Sequence, residues 1–143
     1  MTRLTLHRHA EQLAVCQLPA DAPIPHWAAA PGRLRAAIRS HTDLSIVCAI
    51  AAVPAEVRHE GPFTAFEVQG PLDLATTGVL AAILAPLAAA EVSVFTLSTF
   101  DTDWVLVPSM QHQAASTALQ RADHTVIQPG ERNSDQHPER TSQ

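Results

Sequence analysis

"FTAFEVQGPLDLATTGVLAAILAPLAAAEVSVFTLSTFDTDWVLVPS", residues 63–109, decides the fold of this chain. Residues 63–68 alternate bulky side chains with Thr64, Ala65 and Glu67, which reads as a strand. "GPLD", residues 70–73, is a turn that hands over to a helix, with Asp73 as its N-cap. Leu80, Ile83, Leu84 and Leu87 recur at i, i+3, i+4 and i+7 and so lie on one helical face. Pro86 falls on that helix, where it removes one backbone bond and bends the last turns. Residues 92–98 read as the next strand, "TFDT" (99–102) as a short hairpin loop, and residues 103–107 as the return strand. Beyond the quoted stretch, Pro108 starts a helix running to about residue 122, and "HTVI" (124–127) is a final short strand. The order over 63–127 is therefore β-α-β-β-α-β. That is the split βαβ or ferredoxin-like arrangement, with two helices on one face of a four-stranded antiparallel sheet.

Upstream, the elements are shorter and follow a similar order. Residues 13–18 read as a strand, and "PADAPIPHWAAAPG" (19–32) as a Pro-rich loop with one helical turn at 26–30. Residues 34–40 fit a strand or a short helix equally well. Residues 44–50 are a continuous apolar run, the pattern of a buried strand. Pro54 and then Gly61-Pro62 punctuate the middle of the chain. The expected organisation is α+β: a shortened unit over 1–61, a full unit over 62–128, and an unstructured tail over 129–143. "QPGERNSDQHPERTSQ" (128–143) offers no large apolar side chain to bury.

A length of 143 residues and an apolar fraction of 46% suit one compact domain, or two very small ones sharing a core. The net charge is -5, and every basic residue is arginine. Arg33, Arg35 and Arg39 are the nearest thing to a basic cluster. Nucleic-acid binding needs a broader basic face, so no such partner is expected. Cys16 in "LAVCQL" and Cys48 in "LSIVCAI" read as small buried hydrophobes. "MTRLTLHRHAEQ" (1–12) has no apolar core of a secretory signal. The longest uncharged run, 74–90, is interrupted by Thr76, Thr77, Gly78 and Pro86, and it falls short of the about 20 apolar residues of a membrane span. A cytoplasmic location with no membrane partner is expected.

The polar stretch "STFDTD" (98–103) carries the chemistry. Asp101 and Asp103 could be turn residues, metal ligands, a catalytic carboxylate pair, or the wall of a ligand pocket. Asp103 opens a strand, where carboxylates are disfavoured, so it calls for a partner. In "QGPLDLATTG" (69–78), Gly70 and Gly78 allow close backbone approach, and the helix start offers free amides that suit a carboxylate. An ordinary strand-to-helix turn has the same sequence. Ser45, Ile46 and Val47 could offer edge-strand backbone groups or simply pack in the core. The eight histidines are dispersed, with no HExxH pair, and no phosphate-binding glycine motif or GxSxG elbow occurs. No metal, cofactor or catalytic residue is expected.

"LSIVC" (44–48), "GPLDLATTGVLAAILAPLA" (70–88) and "VSVFTLSTFDTDWVLV" (92–107) together resemble small bacterial proteins with paired ACT domains. That family is related to the ACT domains of the CASTOR arginine sensors and to the regulatory half of aspartate kinases. The resemblance covers roughly residues 12–127. It implies two ACT-like units, the N-terminal one (1–61) shortened. It also implies a regulatory, non-enzymatic sensor of a small molecule, an amino acid, with a homodimer as a further partner and the regulated protein left open. The implied ligand-binding residues are Gly70, Leu72, Asp73 and Leu74 in the first turn and Thr99, Phe100, Asp101, Thr102 and Asp103 in the hairpin. Ser45 and Ile46 would come from a neighbouring unit. An aspartate in this "TDxxLV" context faces the ligand in the resembling sensors, so Asp103 would hold a cationic group. Glu91 stands where such proteins carry glycine between helix and strand. The alternative is a dimerisation or interaction module without a ligand.

Overall fold

The computed structural model describes residues 2–73 and 75–132, so Leu74 and the part of the expected tail beyond 132 lie outside the described residues. Seven strands form one sheet: β1 (Thr5–Leu18), β2 (Ala36–Arg39), β3 (Leu44–Ala49), β4 (His59–Val68), β5 (Phe95–Ser98), β6 (Asp103–Pro108) and β7 (Thr125–Ile127). Two α-helices, α1 (Val79–Ala89) and α2 (His112–Arg121), lie in the second half, and 3-10 turns occupy His26–Ala29, Ile50–Ala52 and Ser109–Gln111.

The path of the sheet is β2-β3-β1-β4-β6-β5, with β7 added to β1. Its first half, β4-β1-β3-β2, is a ferredoxin-like order in which single 3-10 turns stand where helices would be. Strand β4 then serves twice. It closes the first set of strands and opens the second, β4-α1-β5-β6-α2-β7. The fold is α+β and ferredoxin-like, with an abbreviated N-terminal half. The expected junction at 61/62 falls inside β4.

β1 is much longer than the expected strand at 13–18. Its C-terminal part pairs antiparallel with β3 through Leu13–Leu18, and its start pairs parallel with β7 through Thr5–His7. Its other side pairs with β4 along both parts. The start of β1 thus lies between β7 and β4, and the two halves are stitched by one strand. Residues 5–12, "TLHRHAEQ", have Leu6 as their one large aliphatic side chain. Such a segment shows no apolar run, and tertiary pairing makes it a strand.

Three apolar clusters hold the sheet. Phe66, Val68, Val105 and Val107 point to one face and meet Ile83 and Leu87 of α1 and Ala115 and Leu119 of α2. Leu13, Val47, Ala65, Trp104 and Leu106 fill the opposite face, with Ala36 from β2 and Leu97 from β5 packed against them. Residues from both ends of the sheet meet in this second cluster, so the sheet curls around it. Cys16 and Cys48 join Leu44 and Ile46 in a third cluster beneath the N-terminal turns. Burial, with Cys48 alongside, pushes the Cys16 thiol up to about 11, and burial raises Cys48 as well.

Helix α1 begins later than its sequence suggests. Asp73 is not its N-cap: the Asp73 carboxylate accepts from the Ala75 amide at 2.9 Å in a local turn. Gly78 is the residue before the helix, in the left-handed conformation at φ 82. The buried face is Val79, Ile83 and Leu87, with Leu80 and Leu84 only half-buried. Pro86 sits inside α1, so the Ala82 carbonyl has no amide donor four residues on. His124, itself 5% exposed, supplies the missing donor: its Nε2 lies 2.9 Å from the Ala82 oxygen, while its Nδ1 accepts the Leu4 amide at 3.1 Å. One imidazole therefore ties α1, the start of β1 and the entry to β7 together.

Both helices end the same way. The Val92 amide donates to the Leu87 carbonyl and the Glu91 amide to the Ala88 carbonyl, both at 3.0 Å, with Glu91 left-handed at φ 58. At the end of α2 the His124 and Asp123 amides repeat the pattern on Leu119 and Gln120, with Asp123 at φ 69. These are Schellman closures in which an acid takes the place glycine usually holds. The expected strand at 92–98 begins only at Phe95 because this closure consumes its first residues.

Candidate functional site

The loop between β4 and α1, the first turn of α1, and the β5–β6 hairpin enclose a cleft of about 310 Å³. The hairpin is closed by the Thr99 amide donating to the Thr102 carbonyl at 2.8 Å and by the Thr99 hydroxyl donating to the same oxygen at 3.2 Å. It is bound to the other loop in two places. The Leu72 amide donates to the Asp101 carbonyl at 2.6 Å, and the Thr102 hydroxyl donates to the Val68 carbonyl. Gly70 makes the approach possible: a β-carbon there would lie 2.9 Å from the Asp101 backbone oxygen.

Of the residues singled out from sequence, Leu72, Asp73, Thr99, Phe100, Asp101, Thr102 and Asp103 all line this cleft. Gly70 sets the contact behind it, and Leu74 lies outside the described residues. Ser45 and Ile46 do not reach it. They lie on β3, separated from β6 by β1 and β4, and β3 is no edge strand because β1 and β2 pair with its two sides. Ile46 is fully buried in the third cluster.

Asp103 opens β6 opposite Ser98 of β5, and the Ser98 hydroxyl donates to its Oδ1 at 2.5 Å. That bond orients the carboxylate and leaves Oδ2 for another donor. Asp101 is exposed at the hairpin tip, beside Phe100, which is 80% exposed. The helix start expected at Asp73, with its free amides, lies instead at Gly78 and forms the opposite wall. Gly78 has no side chain to cap the helix, and Ala82 is the first residue whose amide finds an intrahelical partner, the Gly78 carbonyl at 3.0 Å. The amides of Val79, Leu80 and Ala81 are therefore without intrahelical partners, and all three residues line the cleft. The signal for them was "TTG" in place of a Ser, Asp or Asn cap. Among the described residues no basic side chain lines the cleft. It has carboxylates on the hairpin and loop side and unpaired amides at the positive end of a helix on the other.

A crystal structure of a protein from Agobacterium tumefaciens superposes on this chain with a TM-score of 0.85 and 30% identity, over 96% of this chain and 100% of that one. The ACT domain family model matches residues 58–121. The chain belongs to the ACT-domain family. A second family model, for an N-terminal domain, matches residues 11–56. The ACT fold is shared with an aspartate kinase from Clostridium acetobutylicum, at a TM-score of 0.64 and 10% identity over 86% of this chain and 35% of that one. It is shared also with the regulatory subunit of aspartate kinase from Thermus flavus, at 0.55 and 15% over 85% and 99%. No curated protein matches the chain in sequence. ACT membership gives the chain the type of a regulatory, ligand-binding domain.

Among the described residues, no group of three or more His, Cys, Asp or Glu side chains is arranged to hold a metal ion. No helix among them is long and apolar enough to cross a membrane. Of the three clustered arginines, Arg35 donates to the Ala29 carbonyl at 2.8 Å and Arg39 to the Ala22 carbonyl at 2.7 Å. These two guanidiniums are used in holding the N-terminal loop.

Proposed function

We propose that this chain is a non-catalytic cytoplasmic sensor that holds a free amino acid, preferably one with a cationic side chain, in the cleft between α1 and the β5–β6 hairpin. The observation that carries the reading is the division of charge across the cleft. A zwitterion's carboxylate suits the amides of Val79, Leu80 and Ala81, where a helix start stabilises an anion. Its cationic groups suit Asp103, with Asp73 and Asp101 nearby. Ser98 fixes the rotamer of Asp103, so little side-chain freedom is lost on binding. Phe100 at the lip covers the aliphatic part of the ligand. Thr99 and Thr102 hold the hairpin in shape, and Gly70, Leu72 and Asp73 supply the facing loop. In this reading residues 1–61 and 62–128 are the two ACT units, and the shorter one acts as a platform.

A second reading, an interaction module with no ligand, has the open edges of the sheet in its favour. The strand path ends at β2 and β5, so both present unpaired backbone groups. A second copy of the chain could add there. Thermal melting of the chain against the full set of free amino acids tests the two together. The sensor reading expects a basic amino acid to raise the melting temperature by about 5–10 °C at a hundred times its Kd. Silence across the set, with a stable dimer in solution, would favour the interaction module.

A further inference from the structure

On one side of β1 the neighbours change from β7 to β3, and they do not meet. β7 stops pairing at His7, and β3 starts at Leu13. On the other side the β1–β4 register slips between Arg8 and Gln12. Residues 8–12 therefore bulge where the sheet has a gap. The gap opens into a second cleft of about 340 Å³, walled by β1, by Arg33 and by the turn that follows β7. That turn is folded: Arg8 Nε donates to Gln128 Oε1 at 2.5 Å, and the Gln128 amide donates to Glu131 Oε2 at 3.3 Å. Residues 129–131, expected to belong to an unstructured tail, are part of this turn.

Two charged groups in this cleft are left over. Oε1 of Glu11 is shielded from solvent and has no hydrogen-bond partner among the described residues. It rests against Gly32, where a β-carbon would lie 2.9 Å from it. A shielded carboxylate oxygen without a donor is costly, so the position asks for one. Arg33 lines the same cleft, and among the described residues no hydrogen bond or ion pair engages it. The other titratable groups around it are satisfied locally. His7 Nε2 lies 2.9 Å from Gln69 Oε1, and His9 Nε2 lies 3.0 Å from Glu67 Oε1 with its ring stacked on Trp104. The lining carries Arg8 and Arg33 against Glu11 and Glu131. The charges balance, so the cleft favours neither a simple cation nor a simple anion. Its volume is at the small end of ligand sites, which run from about 300 Å³ upward.

We propose that this gap is a second ligand site, separate from the α1–hairpin cleft, for a small zwitterion whose ammonium pairs with the Glu11 carboxylate and whose carboxylate accepts from Arg33. The site joins β1 to the segment after β7, at the seam where the two halves of the sheet meet. Its occupation would brace that seam.

The test separates the two clefts by using the full chain carrying Asp103→Asn, which removes the principal carboxylate of the first cleft and touches nothing in the second. Calorimetric titration at low salt uses glycine, β-alanine, γ-aminobutyrate and ε-aminocaproate as probes, zwitterions of increasing charge separation. At least one is expected to bind one-to-one and tighter than about 1 mM. Glu11→Gln should weaken that probe about ten- to a hundredfold, as loss of a charge-assisted bond does. Arg33→Leu alters an exposed side chain, leaves folding intact, and should weaken the same probe by a similar factor. It keeps the proposal testable if Glu11→Gln does not fold. Failure of every probe to bind would overturn the proposal, as would binding that neither substitution affects. Neither outcome bears on the first cleft.

Discussion

Replacing His124 with phenylalanine should cost far more in the native chain than in a chain that also carries Pro86→Ala. In the native chain the imidazole fills two vacancies, the Ala82 carbonyl orphaned by Pro86 and the Leu4 amide at the start of β1. Phenylalanine keeps the volume and loses both bonds. Each buried group left without a partner costs about 1–3 kcal/mol, so the loss should be about 2–6 kcal/mol, a large share of a small domain's stability. With alanine at position 86, that residue's amide can close the helical bond to Ala82. His124→Phe then strands only the Leu4 amide and should cost about 1–3 kcal/mol. The coupling, about 1 kcal/mol or more, is measured by urea unfolding of the four chains of a double-mutant cycle. Equal cost in both backgrounds, within about 0.5 kcal/mol, would refute the idea that His124 compensates for the proline.

Glu91→Gly should stabilise the chain by about 1 kcal/mol, because the left-handed conformation is costly for a residue with a β-carbon; a melting temperature rising by about 3–5 °C checks this, and Asp123→Gly should behave alike. Gly70→Ala places a carbon 2.9 Å from the Asp101 carbonyl and should spread the two loops, lowering stability modestly and abolishing any ligand-induced thermal shift. Stability should also fall at alkaline pH. The Cys16 thiol is neutral in the fold up to about 11 but ionises in the unfolded chain near 9.0, so its contribution is complete below 9.0 and is lost as pH rises to about 11. The loss should be at most about 3 kcal/mol and should shrink in Cys16→Ala, as read from unfolding curves across that pH range.

Much of the second half of the fold was legible because its elements carry strong periodicity and clear turns. Ile83 and Leu87 sit on one helical face as their spacing requires, and Asp103 opens the return strand. The ends of elements were less legible, for physical reasons that differ from case to case. Asp73 has the chemistry of a cap and uses it in a local turn, and a glycine with no capping group opens the helix instead. Glu91 hides a Schellman closure that glycine would have announced. Residues 5–12 become strand only through pairing with β4 and β7, information that no local pattern contains.

The candidate cleft was half legible. Its acidic side can be read from "DTD", because carboxylates at a strand entry are unusual. Its other wall consists of the free amides of the helix start, which the sequence offers as a carboxylate site but places at Asp73 rather than Gly78. Ser45 and Ile46 looked available because an apolar run does not reveal how many of its sides are paired; β3 turns out to be flanked on both. The second cleft was not legible at all. Arg33 and Glu11 are far apart in sequence, and only the gap between β7 and β3 brings them to one place.

Calorimetric titration of the native chain and of Asp103→Asn with L-arginine and L-lysine tests the central claim most directly. At least one of them should bind the native chain one-to-one, with affinity reduced about ten- to a hundredfold in a well-folded Asp103→Asn. Undiminished binding in Asp103→Asn, or no binding of either amino acid to the native chain, would contradict it.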